Sequence, residues 1–249
     1  MTTVAAPPIV GSVHSWDLST GTDGPGTRVV VFTAGCPLRC LYCHNPDTWQ
    51  RRNGTLMTVD EVVAIIARYR RFIAVAGGGV TLSGGEPLLQ RTFTTAVLQR
   101  SKELGLHTAV DTSGAPGDRV GDELLDATDL VLLDVKSWDP ATYRQLTGGD
   151  IAPTLRFGRR VADRGIAIVI RFVLVPGITD APDNVDGVAA YAASLPTVER
   201  VDVLPLHHLG APKYEALGIP YPLAGVPTPT PDEVEAVRAR FRAHGLAVT

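Results

Sequence analysis

Lysine is nearly missing from this chain of 249 residues: of 23 basic residues, only Lys102, Lys136 and Lys213 are lysines. Arginine supplies the rest, which reads as genomic bias and leaves each lysine open to separate scrutiny. Positive charge is not in excess either. Against 26 acidic residues the formal net charge is −3, which argues against nucleic acid as a main partner. No apolar run approaches the roughly 18–20 residues that span a bilayer. Met1–Val10 (MTTVAAPPIV) lacks both a basic start and a sustained apolar stretch, so it does not read as a signal peptide. The expectation is a soluble, cytoplasmic protein. Internal repeats and low-complexity tracts are absent, and the proline-rich Gly218–Pro231 reads as a loop before the last helix. A single domain over 1–249 is expected, since single α/β domains reach this length. Hydrophobic residues at 45% and charged ones at 20% exclude disorder.

Cysteine is absent everywhere except one place. Cys36, Cys40 and Cys43 lie within eight consecutive residues, and the chain has no other thiol. An odd, clustered trio makes a poor disulfide framework and a good soft-metal site. Such a site suits a reducing compartment.

What is present alternates. Six β-branched or apolar runs read as strands: Arg28–Ala34, Gly79–Ser83, His107–Asp111, Leu130–Val135, Ala167–Val175 and Val201–Leu206. Helical patterns separate or follow them at Thr58–Ala74, Pro87–Leu104, Asp122–Ala127, Thr154–Arg164, Val185–Ser194 and Pro231–His244. Thr58 and Glu61 have capping-box spacing. Alternating βα units predict a parallel sheet with helical crossovers. Six units are too few for the eight of a closed barrel, so the pattern leaves an open, partial barrel or a doubly wound sheet. Polar residues gather at and just past the C-terminal strand ends. They are the cysteines, Ser83-Gly-Gly-Glu86, Asp111-Thr-Ser-Gly114, Asp134 with Lys136, Arg171 within the fifth strand, and His207-His208. In parallel α/β sheets these ends share one rim, where ligands bind.

The spacing Cys36-x3-Cys40-x2-Cys43 puts three thiolates on one short loop. Three thiolates can hold three corners of a 4Fe-4S cube and leave one iron open. A structural zinc normally needs four ligands, and the only neighbour able to serve is His44, directly beside Cys43. Three unpaired structural thiols are the remaining reading.

With Tyr42 as the aromatic before the third cysteine, this motif resembles that of the radical S-adenosylmethionine superfamily. Gly84-Gly85-Glu86-Pro87, after the next strand, is similar to that superfamily's second signature. Longer stretches are similar to the activases of glycyl radical enzymes. These are Thr22–Arg28 (TDGPGTR), Tyr42–Trp49 (YCHNPDTW), Gly77–Glu86, Asp111–Gly114, Leu133–Lys136, Ile170–Gly177 and Leu204–His207. Together they cover nearly the whole chain, and they most resemble the activases of pyruvate formate-lyase. Many other activases carry a ferredoxin-like insert with further cysteines, and nothing of that kind lies between Cys43 and Gly79.

The resemblance implies a partial (β/α)6 barrel with parallel strands. It implies a 4Fe-4S cluster on Cys36, Cys40 and Cys43, with S-adenosylmethionine on the open iron. Reductive cleavage would give methionine and a 5′-deoxyadenosyl radical that takes a Cα hydrogen from a glycine of the partner, leaving a glycyl radical. No catalytic side chain is implied beyond the cluster and cofactor. Gly84, Gly85 and Glu86 would meet the methionine end of the cofactor, and Tyr42 and His44 would lie near the adenine. Asp111, Asp134, Val135 and Lys136 map onto cofactor-contacting positions, and His207 matches a cofactor-contacting histidine. Some activases also hold a monovalent cation through carboxylates of this kind. Arg171 sits in a very apolar strand and calls for a carboxylate partner from protein or cofactor. Asp23, heading a tight turn before the first strand, would touch the backbone of the target glycine loop. His208 departs from the acidic residue usual there and is assigned no role. The implied partners are pyruvate formate-lyase as protein substrate and a reduced flavodoxin or ferredoxin as electron donor, with the activase itself a monomer. An activase for another glycyl radical enzyme and a zinc-stapled, non-catalytic binding module are the competing readings.

Replacing Cys40 by Ala is expected to abolish both the cluster and cofactor cleavage. After anaerobic reconstitution with iron and sulfide, the wild-type protein should be brown and EPR-active on reduction. A colourless wild-type protein holding one zinc would overturn the cluster reading.

Overall fold

The structure, a computed structural model, describes residues 7–249. The expectation for Met1–Val10 rests mostly on residues outside that range. Eight strands form one open sheet. They are β1 (Val10–Thr20), β2 (Thr27–Thr33), β3 (Thr55–Thr58), β4 (Gly79–Gly84), β5 (His107–Thr112), β6 (Leu130–Asp134), β7 (Ala167–Leu174) and β8 (Val198–Pro205). Their spatial order is β3-β1-β2-β4-β5-β6-β7-β8. From β2 through β8 every pairing is parallel, which gives the six strands of a partial barrel.

Two strands are additions to the six expected. β1 runs antiparallel to both β2 and β3 and extends the sheet at one edge. The sequence of β1, VGSVHSWDLST, is mostly exposed beyond Val13, so it lacks the apolar run of a buried strand. At the opposite edge the C-terminal residues run beside β8, with Val201 exchanging backbone bonds with Ala247 and Thr249.

The crossovers are helical. Between β3 and β4 runs α1 (Val59–Val75), opened by the Thr58–Glu61 capping box read from the sequence. α2 (Arg91–Glu103) follows β4, and α3 (Asp122–Asp126) follows β5. α4 (Pro140–Thr147) and α5 (Ala152–Asp163) connect β6 to β7, and α6 (Pro182–Ala193) connects β7 to β8. α7 (Ala211–Ala216) and α8 (Pro231–Ala243) close the chain. α4 and α7 are short and were not apparent in the periodicity. The single helix expected over Pro87–Leu104 is instead a 3-10 turn at Pro87–Gln90 and then α2. Two side chains explain the break. Glu86 caps the turn by accepting from Leu88 N, and Gln90 is taken up by other strands.

The main core lies between the outer face of the sheet and the helices, with Val29, Val31, Leu82, Val110, Leu133 and Ile170 packed under Ile66, Val97, Phe157 and Val188. Inside the barrel a small apolar layer, Ala109, Leu130, Leu132 and Val169, fills the base. Side chains two residues on point the same way. The inward positions after Ala109, Leu132 and Val169 are therefore Asp111, Asp134 and Arg171, and the interior turns from apolar to charged within one layer.

Gln90 ties the edge strand to the start of the cysteine loop. It accepts from Ser12 N at 2.7 Å and donates to Ser12 O at 2.8 Å and Ala34 O at 3.0 Å. It thus acts as a piece of strand backbone made from a buried side chain. Gln90→Ala strands Ser12 N in the interior, and the expected loss is about 2–3 kcal/mol, read by urea denaturation. A variant as stable as wild type would refute this role.

Candidate functional site

A cavity of about 400 Å³ opens at the C-terminal ends of the parallel strands. That volume falls within the range of ordinary cofactor sites. Cys36, Cys40, Cys43, Tyr42 and His44 line one side. Gly84, Gly85, Asp111, Asp134, Lys136 and Arg171 line the floor and opposite wall, with His207 and Asp23 at its margins. Thirteen of the fifteen residues singled out from the sequence thus border one space.

The cysteine loop leaves β2 and is pinned by its backbone. Gly35 N donates to Thr48 O and Cys36 N to Trp49 O, while Arg39 N and Leu41 N donate to Thr147 O and Leu146 O at the end of α4. A small apolar cluster of Tyr42, Leu146, Val175, Leu206 and Leu223 supports it from behind. Burial pushes the Cys36 thiol up to about 12 and the Cys40 thiol up to about 11, and it raises Cys43 as well. The Asn45 backbone, and after it the Trp49 side chain, oppose this at Cys43 by hydrogen bonding. Thiols this buried stay protonated unless a cationic centre holds them as thiolates. Among the described residues, no three His, Cys, Asp or Glu converge as ligands of a single metal ion. His44 is not turned to a fourth ligand position either: it stacks on His207 with centroids 3.9 Å apart. Burial and the neighbouring His207 bring His44 down to about 4, so it is neutral at physiological pH.

Across the cavity, two acids and two bases are interleaved. Arg171 Nη1 lies 3.1 Å from Asp111 Oδ1, and Lys136 Nζ lies 2.8 Å from Asp134 Oδ2. Ser83 donates to the other oxygen of Asp111 at 2.7 Å. Burial raises the Asp111 carboxyl, with Arg171 opposing; the Arg171 guanidinium is raised in turn by Asp111. Burial works against the Lys136 ammonium, yet Asp134 and the Tyr42 ring over which it sits, 5.4 Å from the centroid, hold it charged. The carboxylate partner that Arg171 required is thus Asp111. Asp111 and Asp134 are the carboxylates that the resemblance offers to a monovalent cation, and each also faces a cationic side chain.

Two unmet groups indicate what this space can take. Arg171 Nε and Tyr42 Oη are buried without a hydrogen-bond partner. A polar ligand with carboxylate and amino ends fits that deficit. The glycines fit as well: a Cβ at Gly85 would lie 2.5 Å from Gly35 O, and at Gly84 2.3 Å from Thr33 N. Only backbone can approach there, and it carries the β4 end against the cysteine loop. The residues present therefore suit a cluster with an open iron and an amino-acid-bearing cofactor.

Two expected residues stand elsewhere. Glu86 does not line the cavity; it is 1% exposed and its carboxylate is filled by four donors. Leu88 N and Thr112 Oγ1 reach one oxygen, and Ser113 N and Ser113 Oγ reach the other. Its place is a strut beneath Gly84-Gly85, binding the β4 end to the β5 end. Val135 is fully buried and faces the outer core, because strand alternation turns it away from Asp134 and Lys136. The sequence had assigned no role to Ser83, Thr112, Ser113, Trp49 or Lys213. Lys213 reaches from α7 to Asn45 and Asp47 and so closes the cysteine loop from the far end of the chain. No local pattern announces such contacts, since their partners lie up to 168 positions away.

Comparison with known proteins agrees with this geometry. The profile of the Radical SAM superfamily matches residues 30–185. The chain is 38% identical over 242 residues to the pyruvate formate-lyase 1-activating enzyme of Escherichia coli (strain K12), spanning 96% of this chain and 98% of that one. It is 44% identical over 239 residues to the pyruvate formate-lyase-activating enzyme of Staphylococcus epidermidis, spanning 93% and 94%. Among solved structures, a domain of a pyruvate-formate lyase-activating enzyme from Bacteroides vulgatus superposes with a TM-score of 0.58 at 29% identity, over 69% of this chain and 98% of that one. A radical SAM methyltransferase from Sphaerobacter thermophilus, at 20% identity, superposes with a TM-score of 0.65 over 93% and 67%, a likeness of fold.

Glu86→Gln separates strut from ligand. An amide cannot accept from four donors, so two N–H or O–H groups lose their acceptor, and the expected loss is about 2–4 kcal/mol by urea denaturation. A variant of unchanged stability but weakened S-adenosylmethionine binding would return Glu86 to the cofactor.

Proposed function

Because the chain belongs to the radical SAM superfamily and, within it, to the pyruvate formate-lyase activating enzymes, we propose that it installs the glycyl radical of pyruvate formate-lyase. The observation that carries this reading is the 38–44% identity over nearly the full length of both chains, with no insert between Cys43 and Gly79. When bound, the reduced 4Fe-4S cluster cleaves S-adenosylmethionine to methionine and a 5′-deoxyadenosyl radical, which takes a hydrogen atom from a glycine Cα of the partner.

The chain's own residues bind, orient and shield. Cys36, Cys40 and Cys43 would hold a 4Fe-4S cluster by three of its irons, which would supply the electron for reductive cleavage of the cofactor. The backbone at Gly84 and Gly85 receives the amino end of the methionine moiety. Arg171 and Lys136 offer the positive charge for its carboxylate, each kept in place by Asp111 or Asp134. Stacked His44 and His207, with Tyr42, form the apolar and aromatic side suited to adenine. Burial of this wall excludes water, as a reactive primary carbon radical requires. Asp23 at the cavity margin receives the backbone of the target glycine segment, which must arrive extended.

The single sheet takes strands from Val10 to Pro205, and the chain is read as one domain over 1–249. No helix among the described residues is long and apolar enough to cross a membrane, and a thiol site of this kind suits a reducing compartment, which supports reading the protein as cytoplasmic. Reduced flavodoxin or ferredoxin supplies the electron, and the activase meets its target as a monomer. A monovalent cation belongs to this reading only if one binds beside Asp111 and Asp134 together with the cofactor. An activase for another glycyl radical enzyme is the second reading, because the cofactor site is indifferent to the target.

The deciding experiment mixes the reduced protein with S-adenosylmethionine and purified pyruvate formate-lyase and looks for a glycyl-radical doublet by EPR. Release of 5′-deoxyadenosine without a doublet would leave the chemistry in place and remove this target. Asp23→Ala should weaken activation while sparing cleavage in the absence of target. Equal loss of both would refute the role of Asp23.

A further inference from the structure

Arg28 is the largest fully buried side chain, 0% exposed, and no carboxylate lies within salt-bridge distance among the described residues. A buried charge without a counter-ion is costly and needs every donor satisfied. Here neutral groups accept at all three nitrogens, while the Asp129 and Asp23 carboxylates support the charge from farther off. Nε donates to Thr81 Oγ1 at 2.6 Å, and Nη1 to Pro25 O at 3.2 Å. Nη2 donates to Val80 O at 2.7 Å and reaches His107 Nδ1 at 3.2 Å. Burial lowers the guanidinium to about 10, so it still carries its charge at physiological pH.

These contacts converge on one loop. Thr81 accepts from Arg28 and passes its own proton on, donating to Asp23 O at 2.7 Å. With Pro25 O bound directly, Arg28 holds the loop Asp23–Gly26 at two carbonyls. The loop could not take this path with ordinary residues. Gly24 and Gly26 have φ of +119° and +67°. A Cβ at Gly24 would press on the Arg28 side chain at 3.0 Å, and one at Gly26 would strike Gly77 O at 2.4 Å. On the far side, a Cβ at Gly79 would lie 2.0 Å from His107 O and 3.0 Å from Arg28 Nη2. Gly24 and Gly79 thus make room for Arg28, and Gly26 lets the loop lie against the Gly77 backbone. The loop springs from the N-terminal end of β2, yet Thr22 and Asp23 border the same cavity as the cysteines. Ser19 Oγ, at 2.5 Å from Asp23 Oδ2, fixes the carboxylate's direction.

We propose that Arg28, acting through Thr81, is the positioning residue for the target-binding loop: it sets the height of Asp23 in the cavity and so governs capture of the glycine segment, not cofactor chemistry. The proposal rests on Asp23 receiving the target backbone, and its test keeps the two apart.

The test uses reconstituted enzyme with S-adenosylmethionine, pyruvate formate-lyase and a synthetic peptide of its glycine segment. Thr81→Val removes the bridging hydroxyl at constant shape. KM for the target should rise about tenfold, and the Kd of the labelled peptide with it, while kcat, iron content and target-free 5′-deoxyadenosine release stay near wild type. Thr81→Ser, which keeps the hydroxyl, should restore KM, as a loss of packing would not. Arg28→Lys keeps the charge but not the fork, and a KM rise is expected there too if Thr81→Val does not fold. A wild-type KM in a folded Thr81→Val or Arg28→Lys variant, beside a raised KM in Asp23→Ala, overturns the role of Arg28 and leaves Asp23 standing. A wild-type KM in Asp23→Ala removes the reading of Asp23 and this proposal with it.

Discussion

The site depends on keeping charge buried at the top of the barrel interior. One layer of inward side chains is apolar, Ala109, Leu132 and Val169, and the next holds Asp111, Asp134 and Arg171. Charges at that depth persist only when paired and hydrogen-bonded. The chain meets this by gathering acid and base at the ends of β5, β6 and β7. Asp111 on β5 meets Arg171 on β7, and Asp134 at the end of β6 meets Lys136 just beyond it. Parallel pairing brings these strand ends to one rim, so the register that fills the base with methyl groups also aligns the charges above it. A slip of one residue in any of these strands would turn its inward side chains to the outer face.

The cysteine loop is held by a different means. Its thiols have no charged partner of their own, and its place is set by backbone hydrogen bonds that it donates to the carbonyls of Thr48, Trp49, Leu146 and Thr147. Two buried polar side chains lock the surrounding strand ends. Glu86 gathers four donors between β4 and β5, and Gln90 completes the ladder between β1 and the end of β2. Both lie in the short turn that breaks the expected helix at Pro87. The irregularity is there because these side chains serve the sheet and not the helix.

Much of this was legible in the sequence for a physical reason. Strands buried on both faces read as apolar runs, and all six parallel strands were found that way. Chemistry placed at their C-terminal ends stood out because polar residues interrupt those runs: Asp111, Asp134 and Arg171 are conspicuous inside Val, Leu and Ile. What escaped was whatever carries no such contrast. β3 is the edge strand and β1, beside it, is mostly exposed beyond Val13, while α4 and α7 are too short to show a period. Glu86 was assigned to the cofactor because its motif sits at the rim, yet its side chain turns into the core. Motif position reports where the backbone goes, whereas the direction of one side chain depends on partners such as Thr112 and Ser113, some 26 residues on.

The cavity has two margins built on opposite principles. At the cofactor wall, orientation comes from paired charges whose neutralisation of one another leaves Arg171 Nε and Tyr42 Oη unfilled, so a zwitterionic ligand completes the wall. At the Asp23 margin, orientation comes from a backbone loop pinned by neutral acceptors around a single buried cation, with glycine supplying the close approach. Charge pairing tolerates small shifts because Coulomb attraction falls off slowly with distance. A hydrogen-bonded glycine loop does not, since the geometry fails within a few tenths of an ångström. The stricter device therefore stands where a flexible protein segment must be caught, and the more forgiving one where a small cofactor brings charges of its own.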